Sequence, residues 1–391
     1  MTLRRSVLAL LRAAPLAALL APLAAADHLI LTTDLRLLRG TMATIGPQTV
    51  SFRDASGQDV FLPADQCLGF VDLAYRPPGR SDPGLLLMAD GQRLPGRPEL
   101  RQGRLVWVNP LLGSVKLDLE QVKGLALRSG LEPPEATERD VVLLANGDRM
   151  EGIIEGLGTE VALSQDAPQG GAASTVHIPL ERVDAIGLVS TPRAPHGSRI
   201  WLEDGTVADV ERPIADGDGQ VHLRGFLEAA ETRAHGLPLS YLLGVRFSAS
   251  GFVPLASLEP ESVSAPPQRL YAPPPQRSRA GAPLGLGAVR LSGPIEVTWE
   301  LPDGLRRLVA TATIPDDVRA WADLELVVLD GQGERQRHRL AGDAPRLPLD
   351  VTLRDGTLTL RLEEGRRGPV GDTIVLETPV VGAVVGAARG E

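Results

Sequence analysis

The stretch Val141-Val142-Leu143-Leu144-Ala145-Asn146-Gly147-Asp148-Arg149-Met150 decides the fold of most of this chain. A short apolar run is followed by an Asn-Gly pair, and a second run, of alternating apolar and polar residues, begins after that pair. This pattern predicts a β-hairpin with a type I′ turn, in which both central residues need positive φ. Two further alternating runs follow. Residues 178–188 end the segment, and their pattern predicts a strand, one 3₁₀ turn and a last strand.

The same plan occurs four times along the chain. The turn positions are Asp34, Asp90, Asn146 and Asp204, separated by 56, 56 and 58 residues. Such a period indicates internal duplication. The first copy has Leu35 where the others have glycine, so we expect its turn to differ. Each copy is too short to bury a large core alone, and we therefore expect neighbouring copies to pack on one another.

These patterns predict an all-β protein: tandem small SH3-like barrels in four repeats, followed by a jelly-roll β-sandwich. The repeats are placed at 27–75, 84–128, 140–189 and 198–248. A four-bladed propeller is the alternative architecture, because it would use the same number of strands. The Pro-rich connectors, such as Glu132-Pro133-Pro134-Glu135, argue against it.

The first 26 residues have the pattern of a secretory signal peptide. Arg4-Arg5 precedes an apolar stretch, and Ala24-Ala25-Ala26 supplies the small residues that a signal peptidase needs. We therefore expect an exported protein, periplasmic or extracellular, with no membrane insertion after signal cleavage. The formal net charge of -9 argues against a nucleic-acid partner. Cys67 is the single cysteine, and its apolar neighbours favour a small buried residue over a catalytic thiol.

Proline-rich sequence separates the repeats from the last module. Residues 249–281 predict a linker, and two forms stay open for it: a stiff polyproline spacer or an ordered arm that lies on the last domain. From residue 282 to residue 382, seven short alternating runs are separated by turn signals, of which Asp303-Gly304 and Asp330-Gly331 are two. This pattern is typical of a β-sandwich.

Several phrases of this module resemble the NPCBM family of jelly-roll modules, which are associated with carbohydrate binding in exported planctomycete-type proteins. They are Leu258-Glu259-Pro260, the run 283–301, the strand and acidic loop of 308–317, the strand and turn of 326–331, and the final run 371–376. The resemblance implies a carbohydrate-binding sandwich. The chain departs from the family where Gly287-Ala288-Val289 and Thr373-Ile374-Val375 replace segments that often carry histidine or tryptophan, which puts the sugar site in doubt.

Sugar recognition needs flat aromatic faces beside paired hydrogen-bonding groups. Trp299 shares the alternation of Ile295 and Val297, and Trp107 and Trp201 fall within repeat strands, so all three are expected in the core. Trp321 follows the acidic loop and is the candidate platform. The predicted ligand-binding residues are Trp321, Asp316, Asp317 and Asp372.

No sequence feature predicts a cofactor or a catalytic residue. The six histidines show no zinc-binding spacing, and the serine-hydrolase and phosphate-loop motifs are absent from the sequence. The acidic pairs Asp316-Asp317 and Glu363-Glu364 could hold a calcium ion between loops, although solvated turn acids are the favoured interpretation.

The favoured function is therefore an exported, non-enzymatic protein that binds a glycan or an envelope polysaccharide through the terminal sandwich. A scaffold or adhesion protein that binds envelope proteins through its repeats is the alternative. A hydrolase is the least favoured.

Overall fold

The computed structural model describes residues 28–73, 75, 84–101, 104–165, 174–225, 231–232, 236–248, 251–266, 271–277 and 282–383. They form β-strands joined by turns and short 3₁₀ segments. None of the helical segments within these ranges has the length and hydropathy needed to cross a membrane. The predicted signal peptide, residues 1–26, lies outside the described residues, as does the Pro-rich sequence Arg76-Pro77-Pro78-Gly79 between the first two predicted repeats.

Four units of similar length make up the first part of the chain, each with one 3₁₀ segment before its last strand. Unit 1 contains β1 (His28–Thr32), β2 (Leu37–Ile45), β3 (Thr49–Asp54), β4 (Asp59–Pro63), the 3₁₀ segment Ala64–Gln66 and β5 (Cys67–Asp72). Unit 2 contains β6 (Gly84–Met88), β7 (Arg93–Arg101), β8 (Arg104–Asn109), β9 (Gly113–Lys116), Leu119–Gln121 and β10 (Val122–Ala126).

The other two units follow the same order. Unit 3 contains β11 (Asp140–Leu144), β12 (Arg149–Leu157), β13 (Glu160–Gln165), β14 (Ser174–Pro179), Leu180–Arg182 and β15 (Val183–Gly187). Unit 4 contains β16 (Ser198–Leu202), β17 (Val207–Val210), β18 (Arg212–Ala215), β19 (Gln220–Arg224), β20 (Glu231–Thr232), β21 (Leu237–Pro238), Leu239–Tyr241 and β22 (Leu242–Arg246).

The strand pairing inside each unit follows one scheme. The first strand pairs with the second and with the last, as in β1 with β2 and β5, and the second strand pairs with the third. In unit 4 the second strand is split at Glu211 into β17 and β18. The four units therefore share one order of strands and one pairing scheme, and their division into separate domains stays a prediction. Their assignment as SH3-like barrels stays a prediction.

The hairpin turns differ from the predicted type. Gly147 lies at φ 88°, and its N–H donates to Leu144 O at 2.9 Å, whereas Asn146 is not among the residues with positive φ. Gly91 and Gly205 occupy the same position, at φ 84° and 88°. A type I′ turn needs two successive residues with positive φ, so that prediction is wrong. The geometry is that of a turn followed by one left-handed glycine.

Leu35 adopts the conformation that glycine takes in the other units. Its φ is 59°, and its N–H donates to Thr32 O at 2.8 Å. The expectation that this turn differs is therefore wrong. A left-handed leucine costs about 1–2 kcal/mol, and complete burial of its side chain contributes about 1.5–3 kcal/mol. Leu35 is buried against Gly382, where an added Cβ would lie 2.6 Å from the leucine Cδ atoms.

The last strands of the units pair antiparallel across two seams. We define the 1–4 seam as β5 with β22, and the 2–3 seam as β10 with β15. Phe70 faces Val245 at the centre of one seam, and Leu125 faces Ile186 at the centre of the other. The registers are equivalent about these pairs, so each seam has approximate twofold symmetry. Hydrogen bonding between units in this way distinguishes the structure from separate propeller blades.

A buried polar network joins unit 2 to unit 4. Asn109 Nδ2 donates to Thr206 Oγ1 at 2.9 Å and to Pro95 O at 2.8 Å, and Asn109 Oδ1 accepts from the N–H of Leu112. Nearby, Asp209 N–H donates to Gln92 Oε1 at 3.0 Å. These bonds satisfy polar groups that the contact removes from water, which keeps their burial from destabilising the fold.

The last module is a sandwich of two antiparallel sheets. Its strands are β23 (Phe252–Pro254), β24 (Ser262–Ser264), β25 (Gln276–Arg277), β26 (Val289–Ser292), β27 (Ile295–Glu300), β28 (Leu305–Thr313), β29 (Asp323–Asp330), β30 (Gly333–Ala341), β31 (Arg346–Thr352), β32 (Thr357–Glu364) and β33 (Thr373–Ala383). One sheet has the order β25-β26-β33-β28-β31 with β23 on β33, and the other β24-β27-β32-β29-β30. Alternate residues of both sheets form the core, among them Trp299, which is buried as its alternation predicts.

The proline-rich segment provides strands to the sandwich. β23 pairs with β33, β24 with β27 and β25 with β26. In its described parts this segment is thus the ordered arm, and residues 249–250, 267–270 and 278–281 lie outside them. The sequence did not predict β30, whose Arg and Glu residues mask the alternation. β30 is an edge strand that pairs with β29 alone among the described strands, and edge strands tolerate such charges.

Gly69→Ala tests the 1–4 seam. A Cβ at this position would lie 2.2 Å from Val245 O and 2.8 Å from Leu284 Cδ2. We expect the substitution to lower the free energy of unfolding by about 2–3 kcal/mol, as overpacking does. The measurement is urea denaturation of the full chain. Gly217→Ala is the control, because no heavy atom lies within 4 Å of its added Cβ. Equal stability of both variants would contradict the seam.

Candidate functional site

Three turns meet at one end of the sandwich. They are residues 314–322 between β28 and β29, 342–345 between β30 and β31, and 365–372 between β32 and β33. The backbones approach closely: an added Cβ at Gly342 would lie 2.4 Å from Arg319 O, and one at Gly365 would lie 2.0 Å from Asp323 O. Close backbone packing of this kind holds the turns in a fixed relation to each other.

Trp321 lies on the first of these turns and is the exposed tryptophan of the protein. All four tryptophans are described, and 58% of Trp321 is accessible while Trp107, Trp201 and Trp299 are buried. Its Cβ packs against Gly371, where an added Cβ would lie 3.4 Å away. The indole is therefore anchored at its base on the third turn and exposed to solvent beyond it, as a sugar platform requires.

The three predicted acids have different surroundings. Asp316 extends into solvent, with its carboxylate 3.7 Å from Arg319 Nη1. Asp317 faces Arg290, whose Nη2 lies 3.5 Å away. Asp372 is buried, with 2% of its surface accessible. The structure thus places Asp316 on an open surface of the turn that carries Trp321 and buries Asp372 at the end of the third turn, and a ligand-binding role for each stays a prediction.

A cleft of about 560 Å³ opens between the three turns, and we name it the arginine cleft. Its charged lining residues are Asp316, Arg319, Arg339, Asp343 and Arg367. Arg319 belongs to the first turn, Arg339 to β30, Asp343 to the second turn and Arg367 to the third. Ala320, which precedes Trp321, also lines the cleft. The turn that carries Trp321 therefore also lines a charged, hydrogen-bonding concavity.

Backbone and carboxylate contacts hold each arginine of the cleft. Arg319 Nε donates to Gly342 O at 3.0 Å, and Arg367 Nη1 lies 3.5 Å from Ala320 O. Arg339 Nε donates to Asp323 Oδ1 at 2.7 Å. Asp323 also accepts the N–H of Arg366. The hydrogen bond from Arg339 lowers the pKa of Asp323, so this carboxylate is ionised at neutral pH and keeps the guanidinium in place.

The second acidic pair considered for calcium has arginine partners. Glu363 contacts Arg337 Nη1 at 2.6 Å and Arg361 Nη1 at 3.5 Å. Arg361 also pairs with Glu296, and these groups border a second cavity of about 390 Å³ beneath the arm at Ser264–Pro266. The arginines beside Glu363 offset the negative charge that would bind a cation.

One further cluster could offer metal ligands. Ligand atoms of Asp90, His196 and Asp209 lie within 4.8 Å of one another. Arg199 already donates to both oxygens of Asp209, at 2.7 and 2.9 Å, and its Nη2 donates to Asp90 O. The bidentate pair lies within unit 4, and the bond from Arg199 to Asp90 O joins unit 4 to unit 2, so we assign the cluster a structural role.

Sequence reasoning proposed Trp321 and Asp316 as ligand-binding residues, which stays a prediction, and did not identify the arginines of the cleft. Arg339 lies on the strand that was not predicted, and Arg319 and Arg367 lie on turns that the sequence leaves unconnected. The alternation of Arg335, Arg337 and Arg339 was the available signal, since every second residue of a strand lies on one face.

No family model and no curated protein matches the chain. Similar solved structures include the CBM51-2 and INT domains of ZmpB from Clostridium perfringens, at 12% identity and a TM-score of 0.28, with 34% of this chain and 31% of that chain covered. This chain thus spans about a third of that protein's length.

Two other solved structures are carbohydrate-binding modules. A CBM51 from GH95 of Clostridium perfringens, in complex with methyl-galactose, has 15% identity and a TM-score of 0.28, with 33% of this chain and 99% of that one covered. The tandem CBM51 modules of Sp3GH98 from Streptococcus pneumoniae have 10% identity and a TM-score of 0.27, with coverages of 85% and 88%. At these TM-scores the likeness carries no argument about function.

Cys67 provides a test of the buried core. Burial raises the pKa of its thiol to about 12, so the reactive thiolate is scarce at neutral pH. We expect a disulfide reagent such as dithionitrobenzoate to leave the native chain unlabelled at pH 8 and to label one thiol in urea. Rapid labelling of the native chain would show that Cys67 is accessible.

Proposed function

We propose that this protein is exported, has no catalytic activity and binds a carbohydrate at the end of its terminal sandwich. The observation that supports this most is the exposed indole of Trp321 on a turn that also lines the arginine cleft. The NPCBM-like phrases of the sequence support the same function independently. Export rests on the signal-peptide pattern of residues 1–26.

The site offers the aromatic surface and the hydrogen-bonding groups that a sugar needs. The C–H face of a pyranose ring packs on an indole, and its hydroxyl groups need both donors and acceptors. The cleft supplies guanidinium donors from Arg319 and Arg367 and carboxylate acceptors from Asp316 and Asp343. A cleft of about 560 Å³ has room for one or two sugar rings.

The placement of the sandwich suits a binding role. Arg307 Nη1, near the start of β28, donates to Asp34 O of unit 1 at 2.9 Å, and Leu35 packs against the end of β33. The turn that carries Trp321 follows the opposite end of β28. The strand spans about 26 Å at roughly 3.3 Å per residue. The repeats therefore hold the sandwich by one end and leave the site at the other end open.

Trp321→Ala tests the site in the full chain. We expect at least a tenfold loss of affinity for whichever glycan the wild-type protein binds on an array, because the stacking face is removed. Tyr271→Ala is the matched control, since Tyr271 is a 69% exposed aromatic on the arm. Trp321 also dominates the exposed indole surface, so the bound glycan should protect tryptophan fluorescence from acrylamide.

Two results would contradict this function. Failure of the wild-type chain to bind any glycan would exclude it. Equal losses from Trp321→Ala and Tyr271→Ala, with both variants folded by circular dichroism, would place the binding site elsewhere.

The scaffold alternative is favoured by one observation in the repeats. Phe61 lies on β4 and is 68% exposed, and β4 pairs with β3 alone among the described strands. An open strand edge beside an exposed aromatic can accept a strand from another protein. If the repeats bind an envelope protein, Phe61→Ser will abolish its capture and Trp321→Ala will not. The opposite pattern would exclude this alternative.

A further inference from the structure

The arginine cleft contains more positive charge than a neutral sugar requires. Its three arginines come from separate segments, and only the fold brings them together: a turn, an edge strand and another turn. Asp323 lies beneath the cleft and neutralises Arg339 through a hydrogen bond of 2.7 Å. Arg319 and Arg367 are the cations of the cleft whose guanidinium groups donate to backbone carbonyls and not to a carboxylate among the described residues, with the nearest carboxylate of Arg319 at 3.7 Å.

The acids that line the cleft do not cancel this charge at short range. Asp316 is 3.7 Å from Arg319, beyond hydrogen-bond distance, and its side chain is 97% exposed. Asp343 lies near Arg339, whose pKa is raised first by Asp323 and to a smaller extent by the charge of Asp343. Both acids lie where they can accept sugar hydroxyl groups.

The guanidinium donors are mostly available for a ligand. A guanidinium carries five N–H donors. Within the described residues, each arginine of the cleft has one hydrogen-bond acceptor: Gly342 O for Arg319, Asp323 for Arg339 and Ala320 O for Arg367. The planar fork of such a group matches the two oxygens of a carboxylate, or two oxygens of a sulfate.

We propose that the arginine cleft selects an acidic glycan, in which Arg319 and Arg367 bind the carboxylate or sulfate of a sugar whose ring stacks on Trp321. This inference rests on the proposed carbohydrate binding and names the class of sugar. Asp316 and Asp343 accept hydroxyl groups of the same ligand.

Paired glycans test the charge directly. The full chain is placed on an array that carries oligogalacturonate, alginate, sialyllactose and sulfated galactan, each beside a neutral counterpart: methyl-esterified oligogalacturonate, mannan, lactose and galactan. The inference predicts that at least one acidic member exceeds its counterpart by tenfold or more, and that added salt weakens its binding. Comparison of the carboxylate glycans with the sulfated galactan shows which anion is preferred.

The variants separate a specific contact from long-range attraction. Arg367→Gln should lower affinity for the preferred acidic glycan at least tenfold and leave affinity for a neutral counterpart within twofold. Arg346→Gln is the control, because Arg346 begins β31 at the same end of the sandwich and does not line the cleft. Arg367→Lys keeps the positive charge but lacks the planar guanidinium group, and we expect its affinity to lie between those of the wild-type chain and Arg367→Gln.

The outcomes distinguish the acidic-glycan inference from the proposed carbohydrate binding on which it rests. Binding to neutral glycans alone, lost in Trp321→Ala, would overturn the acidic class and retain the carbohydrate site. Equal losses in Arg367→Gln and Arg346→Gln would overturn the cleft as the selective element. Absence of binding to every glycan would overturn both.

Discussion

The close approach of backbones at the two seams is the constraint on which the rest of the structure depends. Carbonyl oxygens of the paired strand occupy the space where side chains would be at Gly69 and Gly124, with Val245 O and Ile186 O at 2.2 and 2.8 Å from an added Cβ. Only glycine permits this contact. Pairing of last strands then fixes which units meet: unit 1 with unit 4, and unit 2 with unit 3. The polar network of Asn109 joins the two pairs.

The strands of the two seams pair in the same way, but a different segment of the chain packs on each seam. Pro133 and Pro134, from the connector between units 2 and 3, lie against Gly124 and Gly187. Pro283 and Leu284, from the start of the sandwich, lie against Gly244 and Gly69. The sandwich therefore occupies on one seam the place that a connector occupies on the other. An apolar cluster that includes Leu31, Trp201, Phe252 and Val380 buries this junction, so the sandwich has a fixed base from which its turns extend.

The sequence predicted those features that follow from local pattern. Short sequence patterns predict the four units, the 3₁₀ segments and the burial of Trp299. These patterns are the regular spacing of turns, the closing segment of each unit and the alternation of apolar residues. Leu35 could not be predicted, because its left-handed turn is stabilised by burial against Gly382, far away in sequence. The arginine cleft was missed for the same reason: Arg319 and Arg367 come to line one cleft only when three turns pack together through Gly342 and Gly371. Trp321 was proposed as the sugar platform because it follows the acidic loop Asp316-Asp317 and lies outside the predicted core strands.

Hydrogen–deuterium exchange of the full chain, with and without its preferred glycan, tests most directly the claim that the repeats hold a sandwich whose distal turns bind sugar. The account predicts that added glycan slows exchange in residues 315–322, 342–345 and 365–372 and leaves the seams unchanged. Protection confined to the repeats, with these turns unaffected, would contradict it.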